Sequence, residues 1–259
     1  MNRIDYYPCA IKGVEIKHCA NSIHAYKDHL HQELSIGYIE KGSTILNING
    51  IDYSVSENEA IIINPFVSHR CQPKDIDNWQ FTMIYIQECY LIGLDFRPSI
   101  SIRKLTLNEL NQLKELTKVL AGETPIFEKE NMLVSVLMTF LEGCEVKIIF
   151  NNNSPVEEVL EYIRQHYLEE LSLADLEHRF QINKYQLIRA FKSIYNTTPS
   201  AYQLQLKINY AKSLLKQDSL LAAVALEAGF YDQAHFSKEF KKAYGITPHK
   251  YMKSFHQNA

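Results

Sequence analysis

Four side chains in the first third of the 259-residue chain are of the kinds that hold metal ions: His29, His31 and Glu33 at alternate positions, and His69 further on. Imidazole and carboxylate ligands with one open position can bind Fe, Mn, Zn or Ni and support oxygenase or isomerase chemistry. A strand puts residues 29, 31 and 33 on one face through its period of two, so their alignment needs no metal to explain it. Histidines at the mouth of a sheet also hydrogen-bond organic ligands or cap strands. Elsewhere the sequence has no G-x-S-x-G elbow, no phosphate-cradling glycine loop and no H-E-x-x-H pair, which leaves hydrolase, nucleotide-dependent and zincin readings without support. No catalytic residue and no cofactor are assigned. His18, His24, His166, His178, His249 and His256 read as surface or structural residues, and Trp79 as core.

The elements that must position these groups change character along the chain. From residue 33 to about 90, β-branched and aromatic runs such as Ser35–Ile39 and Thr44–Ile48 alternate with turn signals at Lys41-Gly42, Asn49-Gly50, Glu57-Asn58 and Asn64-Pro65. Asn49-Gly50 between two such runs is a hairpin signal of type I′. With Ala60–Asn64 and Trp79–Gln87 these runs predict a small antiparallel barrel or sandwich. Ile36, Tyr38, Phe81 and Tyr85 are candidates to line its pocket, the register deciding which face inward. Beyond Pro98 the period becomes helical: Leu107, Leu110, Leu113, Leu116 and Leu120, then Met132, Leu133, Val136, Leu137, Phe140 and Leu141. They predict a helix pair packed on the barrel or on a second copy of itself. The polar stretch 151–155 reads as a linker, dividing an α+β chain into a sensing and pairing domain (1–150) and an all-helical domain (156–259).

Charge separates the halves more sharply. The whole chain carries a net −3, yet residues 179–259 hold twelve bases against four acids, so a polyanionic partner belongs at the C-terminal end. There a short helix, a tight turn and a second helix occur twice. Ser172 and Asn183 are expected N-caps in the first unit and Asp232 in the second, on either side of a longer helix marked by Leu204, Ile208, Ala211, Leu214 and Leu215. Such helix-turn-helix units lay the second helix in the DNA major groove. Burying Leu187 and Phe191 turns Lys184, Tyr185, Arg189 and Lys192 outward, with Ile188 at the margin. Burying Phe236 and Phe240 turns out Gln233, Ala234, Ser237, Lys238 and Lys241, with His235 and Lys242 beside them. Arg189 and Lys238 suit guanine O6 and N7, Gln233 suits the adenine edge, and Lys192, Lys241 and Lys242 suit phosphates.

The run from Ala225 to Tyr251, A-x-E-A-G-F-Y-D-Q-A-H-F-S-K-E-F-K-K-A-Y-G-I-T-P-H-K-Y, resembles the second helix-turn-helix of the AraC/XylS family of bacterial transcription regulators. The first unit departs from the family pattern at Glu177, Gln181 and Asn183, and the linker helix has Lys207 where arginine is usual. His29–Gly42 and Ile63–Pro73 resemble the family's cupin-like sensing barrel, with Phe66-Val67 where a glycine usually follows the proline.

The resemblance implies a seven-helix DNA-binding domain with two helix-turn-helix units. It also implies an effector in the barrel near His29, His31, Glu33, Tyr38, His69 and Tyr85, a homodimer paired through flanking helices, and activation of promoter DNA through RNA polymerase. The competing reading is a metal-dependent cupin enzyme or metal sensor using His29, His31, Glu33 and His69. With no apolar run long enough to span a bilayer, no basic apolar leader, and five cysteines (Cys9, Cys19, Cys71, Cys89, Cys144) without a C-x-x-C pair, the expectation is a cytoplasmic protein with reduced thiols.

Overall fold

A computed structural model of the chain describes residues 3–23, 27–48, 50–87, 100–141, 155–195, 197–216 and 219–256. Most of the expected linker (151–154), Asn49, His24, Cys89 and Cys144 lie outside them. The N-terminal domain is built from strands β1 (Arg3–Pro8), β2 (Val14–Ala20), β3 (Leu34–Lys41), β4 (Ser43–Ile48), β5 (Ile51–Ser56), β6 (Glu59–Ile63), β7 (His69–Pro73), β8 (Gln80–Ile86) and β9 (Ile100–Lys104). They form two antiparallel sheets, in the orders β1-β2-β8-β3-β6-β9 and β5-β4-β7. Ile48 pairs with Ile51, and Gly50 between them has φ +79°, the left-handed conformation a two-residue hairpin requires.

The larger sheet is covered on both sides, which explains its near-continuous apolar runs. Cys19, Ile39, Ile61, Ile63, Phe81, Met83 and Tyr85 point into the barrel with Trp79. Ile16, Leu34, Ile36, Tyr38, Ala60, Ile62, Ile84 and Ile86 pack beneath α1 (Leu107–Ala121) and α2 (Ile126–Leu141). The helix pair therefore covers the barrel of its own chain. α1 starts at a capping box in which Thr106 accepts from the N–H of Glu109.

Three strands escaped the sequence reading: β1, β2 and β9. In β2, Glu15 and Lys17 alternate with Val14 and Ile16, yet they are only 2% and 1% exposed. The second domain covers them. It comprises α3 (Pro155–His166), α4 (Leu173–Phe180), α5 (Lys184–Tyr195), α6 (Pro199–Leu214), α7 (Leu221–Glu227), α8 (Gln233–Tyr244) and α9 (Pro248–His256). The expected linker is thus one residue too long, because Pro155 already opens α3; proline suits a first helical turn, where its missing N–H costs nothing.

The C-terminal domain has two cores. Val156, Val159, Leu160, Ile163, Leu176, Leu187, Phe191, Tyr202 and Leu206 hold α3–α6 together, and Leu30 of the barrel joins them. Ile208, Ala211, Leu215, Val224, Ala225, Phe230, Phe236, Phe240, Tyr244 and Tyr251 hold α6–α9 in one cluster with the barrel interior. α6, a rod of about 24 Å, belongs to both. No helix among the described residues is long and apolar enough to cross a membrane.

Candidate functional site

Each helix-turn-helix unit is fixed by local chemistry. Ser172 caps α4 in a capping box with Asp175, and Gln181 ends it at φ +52°. Most side chains pay roughly 1–2 kcal/mol for that conformation; here the Gln181 amide donates to the carbonyl of His178 at 2.6 Å. Asn183 accepts from the N–H of Tyr185 at 3.0 Å, as an N-cap does. Glu177 accepts from the Asn183 amide and the N–H of Lys184, both at 3.2 Å. The carboxylate that departs from the family pattern thus braces the turn. In the second unit, Gly229 turns the chain at φ +73°, and a side chain there would press on Lys207 and the carbonyl of Leu168. Asp232 caps α8 by accepting from the N–H of His235 at 2.7 Å.

The second helices present their expected faces. Tyr185, Arg189 and Lys192 are exposed on α5, while Lys184 and Ile188 are half-buried. Gln233, Ala234, His235, Lys238 and Lys241 are exposed on α8, with Ser237 half-buried. Lys242 differs from the expectation: it is half-buried and paired with Glu239, because one helical turn places the two on the same edge.

The positive charge of this domain has a second use that the sequence reading missed. Lys212 on α6 is buried against the barrel, its Nζ 2.8 Å from Glu15 Oε1 and 3.3 Å from Glu33 Oε1. Lys216 reaches Glu15 Oε2 at 2.9 Å, and the Tyr251 hydroxyl donates to the same oxygen at 2.5 Å. Tyr85, Tyr244, Tyr6 and Tyr251 surround the ammonium, their ring centres 4.9–5.9 Å away. Burial pushes the Glu15 carboxyl up, but the two lysines outweigh it and hold the group at about 2. The Lys212 ammonium loses hydration on burial, yet Glu15 and Glu33 raise it above the ordinary lysine value.

Further contacts extend this junction. Lys250 donates to the carbonyl of Ile4 at 3.1 Å. Phe66 adopts φ +64°, the glycine-like conformation its position calls for, and its ring stacks 4.3 Å from the Arg164 guanidinium of α3. The helices that flank the two helix-turn-helix units, α3, α6 and α9, are therefore anchored to the sensing domain.

Of the expected metal or effector residues, the structure gathers His29, His31 and His69. All three are buried and their ligand nitrogens lie within 4.8 Å of one another. His29 and His69 are joined by a reciprocal backbone bridge. The strand expected through 29–33 is absent: a bend at residues 32 and 33 turns Glu33 away to Lys212. Burial first, then the neighbouring histidines and after them the buried lysines, hold the His29 and His31 rings well below the ordinary histidine value; burial brings His69 down to about 4. Tyr85 faces the cluster, its ring 4.9 Å from that of His31. Tyr38 borders the same interior cavity but packs, with Ile36, in the cluster beneath α1 and α2.

Two spaces adjoin these residues. The barrel interior, between His31, His69, Cys71, Trp79 and Tyr85, retains about 20 Å³, room for one water-sized group. A crevice of about 390 Å³ opens between the domains, lined by Gln32, Glu33, Phe66, Gln87, Asn209, Lys212, Ser213 and Lys216. Only the crevice falls in the size range of small-molecule sites.

A β-barrel sensor docked on a double helix-turn-helix domain defines a two-domain, ligand-responsive, DNA-binding class of protein. Family comparison agrees for both halves: residues 18–93 match the AraC-like ligand binding domain and residues 176–254 the helix-turn-helix domain. The chain belongs to the AraC family of transcription regulators. It is 29% identical over 222 residues to the HTH-type transcriptional regulator YbfI of Bacillus subtilis, covering 81% of each chain. It is 23% identical to the HTH-type transcriptional activator RhaS of Escherichia fergusonii, covering 96% of this chain and 95% of that one. Its fold is similar to that of unsaturated fatty acid-bound ToxT from Vibrio cholerae (TM-score 0.66, 15% identity, 97% and 96% of the two chains).

Proposed function

We propose that this regulator is a cytoplasmic activator whose α5 and α8 enter successive major-groove segments of promoter DNA, and that a small molecule held between its domains governs that engagement. The observation that carries the reading is the pair of exposed basic faces on α5 and α8, presented by a domain that α6 and α9 hold against the sensor. Arg189, Lys238 and Gln233 supply base contacts; Lys192 and Lys241 supply phosphate contacts.

The measurement is binding of the full chain to DNA upstream of its own gene at two salt concentrations. Arg189→Ala or Lys238→Ala is expected to relax preference at one base pair by roughly 1–3 kcal/mol. Lys241→Ala should weaken all sequences alike and flatten the salt dependence. Sequence-independent binding by the unaltered chain would defeat the reading.

The effector is placed in the interdomain crevice rather than inside the barrel, because the interior is filled by side chains. A ligand there touches Glu33, Lys212 and Lys216, the groups that join the domains, and can favour one arrangement over another only by binding the two differently. That ToxT has been seen bound to an unsaturated fatty acid supports an organic occupant. The activator name of RhaS supports recruitment of RNA polymerase over repression.

Pairing of two chains is placed on α2, where Phe127, Val134 and Met138 are 72%, 50% and 47% exposed and share one face by their spacing. Sedimentation should show a dimer that Phe127→Glu with Met138→Glu dissociates; a monomeric unaltered chain would refute this part.

A further inference from the structure

DNA recognition makes no use of the three histidines, and their setting is a constructed one. The backbone N–H groups of His29 and His69 donate to each other's carbonyls at 3.0 and 2.9 Å, and the N–H of Phe66 donates to the carbonyl of His31 at 2.7 Å. All three residues therefore hang on one hydrogen-bonded frame. The ring centres lie 4.4, 4.9 and 5.3 Å apart. His29 Nδ1 lies 3.2 Å from the carbonyl of Lys27, and His69 Nδ1 2.9 Å from that of Val67. A neutral ring bonded in this way carries its proton on Nδ1 and leaves Nε2 to act as a ligand; the same outer contact orients histidines in metal sites. His31 contributes a buried Nδ1 with no hydrogen-bond partner among the described residues. Leaving such a group unpaired is costly, so a plain core would be better served by an apolar side chain.

We propose that His29, His31 and His69 form a three-nitrogen site for a divalent transition ion of the kind imidazoles prefer, Zn²⁺, Co²⁺, Ni²⁺ or Cu²⁺. The water-sized space beside His31, His69 and Tyr85 supplies a further coordination position. Bonds of 2.0–2.1 Å in tetrahedral geometry set ligand nitrogens about 3.4 Å apart. Closing from a spacing of at most 4.8 Å asks each ring to move by under about 1 Å.

Glu33 is not a ligand, so the ion's charge adds to that of buried Lys17 and Lys212. It thereby bears on the ion pair that docks the second domain; Tyr244, at the end of α8, lies with its ring 6.4 Å from that of His31. The site is independent of the DNA-binding reading, since ion uptake is measured without DNA.

The experiment strips the full chain with a chelator and titrates it with Zn²⁺ and separately with Co²⁺. Expected are one ion per chain after desalting, and a visible Co²⁺ spectrum of an all-nitrogen, low-coordinate site that one equivalent of Zn²⁺ abolishes. His31→Gln with His69→Gln should weaken uptake by at least about tenfold, while His178→Gln with His249→Gln, both exposed, should leave it unchanged. Substoichiometric uptake, or unaltered uptake by the folded His31/His69 double variant, overturns the proposal. Should that variant not fold, the Co²⁺ spectrum of the unaltered chain decides: thiolate-to-cobalt absorption would place the ion on a cysteine and refute the site.

Discussion

Lys212→Met is expected to destabilise the full chain by roughly 3–5 kcal/mol, a larger effect than removing any of its surface ion pairs. Lys212 and Glu15 are each 3% exposed at the side chain. Removing the cation leaves Glu15 buried in the junction, with only the part-exposed Lys216 and the Tyr251 hydroxyl to hold it. Taking both charges away is a different matter, since a buried pair repays little more than its own desolvation. Glu15→Gln combined with Lys212→Met should therefore recover much of the loss. The check is a double-mutant cycle by denaturant unfolding; a Lys212→Met protein as stable as the parent would show that the domains do not dock through this pair.

The pH dependence of the same contact has a fixed sign. Glu15 is held at about 2 in the folded chain against an ordinary value of 4.5. Its contribution is therefore complete above about pH 4.5 and is lost as the pH falls from there toward 2. Domain separation on acidification, followed by proteolysis of the junction, should be shifted in Glu15→Gln.

Phe240→Ala is expected to cost about 3–5 kcal/mol and to abolish sequence-specific binding. Phe240 is fully buried and packs on Phe236, Tyr244 and Tyr251, with ring centres 5.6, 4.7 and 5.6 Å away. Those rings set the tilt of α8 between α9 and the barrel. The truncated side chain leaves a cavity beneath the recognition face, while the exposed lysines survive. Weak, salt-sensitive, non-specific DNA binding should remain. Phe240→Leu, which keeps most of the volume, should cost far less. Unchanged stability and specificity in Phe240→Ala would mean that the orientation of α8 is set elsewhere.

Local signals survived translation into structure wherever neighbours in sequence fix the geometry. Ser172 and Asp232 cap the helices they were expected to cap, Gly50 closes its hairpin, and the Leu187/Phe191 and Phe236/Phe240 spacings fixed which helix faces are free. The failures share a cause as well. β2 escapes because Glu15 and Lys17 interrupt its apolar run, and only a domain far along the chain buries them. Glu33 was grouped with His29 and His31 because a continuous strand was assumed, and a bend at residues 32 and 33 separates them.

By itself, then, the sequence determined a barrel followed by two basic helix-turn-helix units, because periodicity, caps and turn residues act over a few positions. It also marked His29, His31, Glu33 and His69 as candidates for a shared site. Only the tertiary structure decided that some of the C-terminal positive charge joins the domains instead of facing DNA, that a crevice opens between them, and that the histidines meet without Glu33. These outcomes depend on groups brought together from positions as distant as Glu15 and Tyr251, and no local pattern encodes the burial that makes such charges interact strongly.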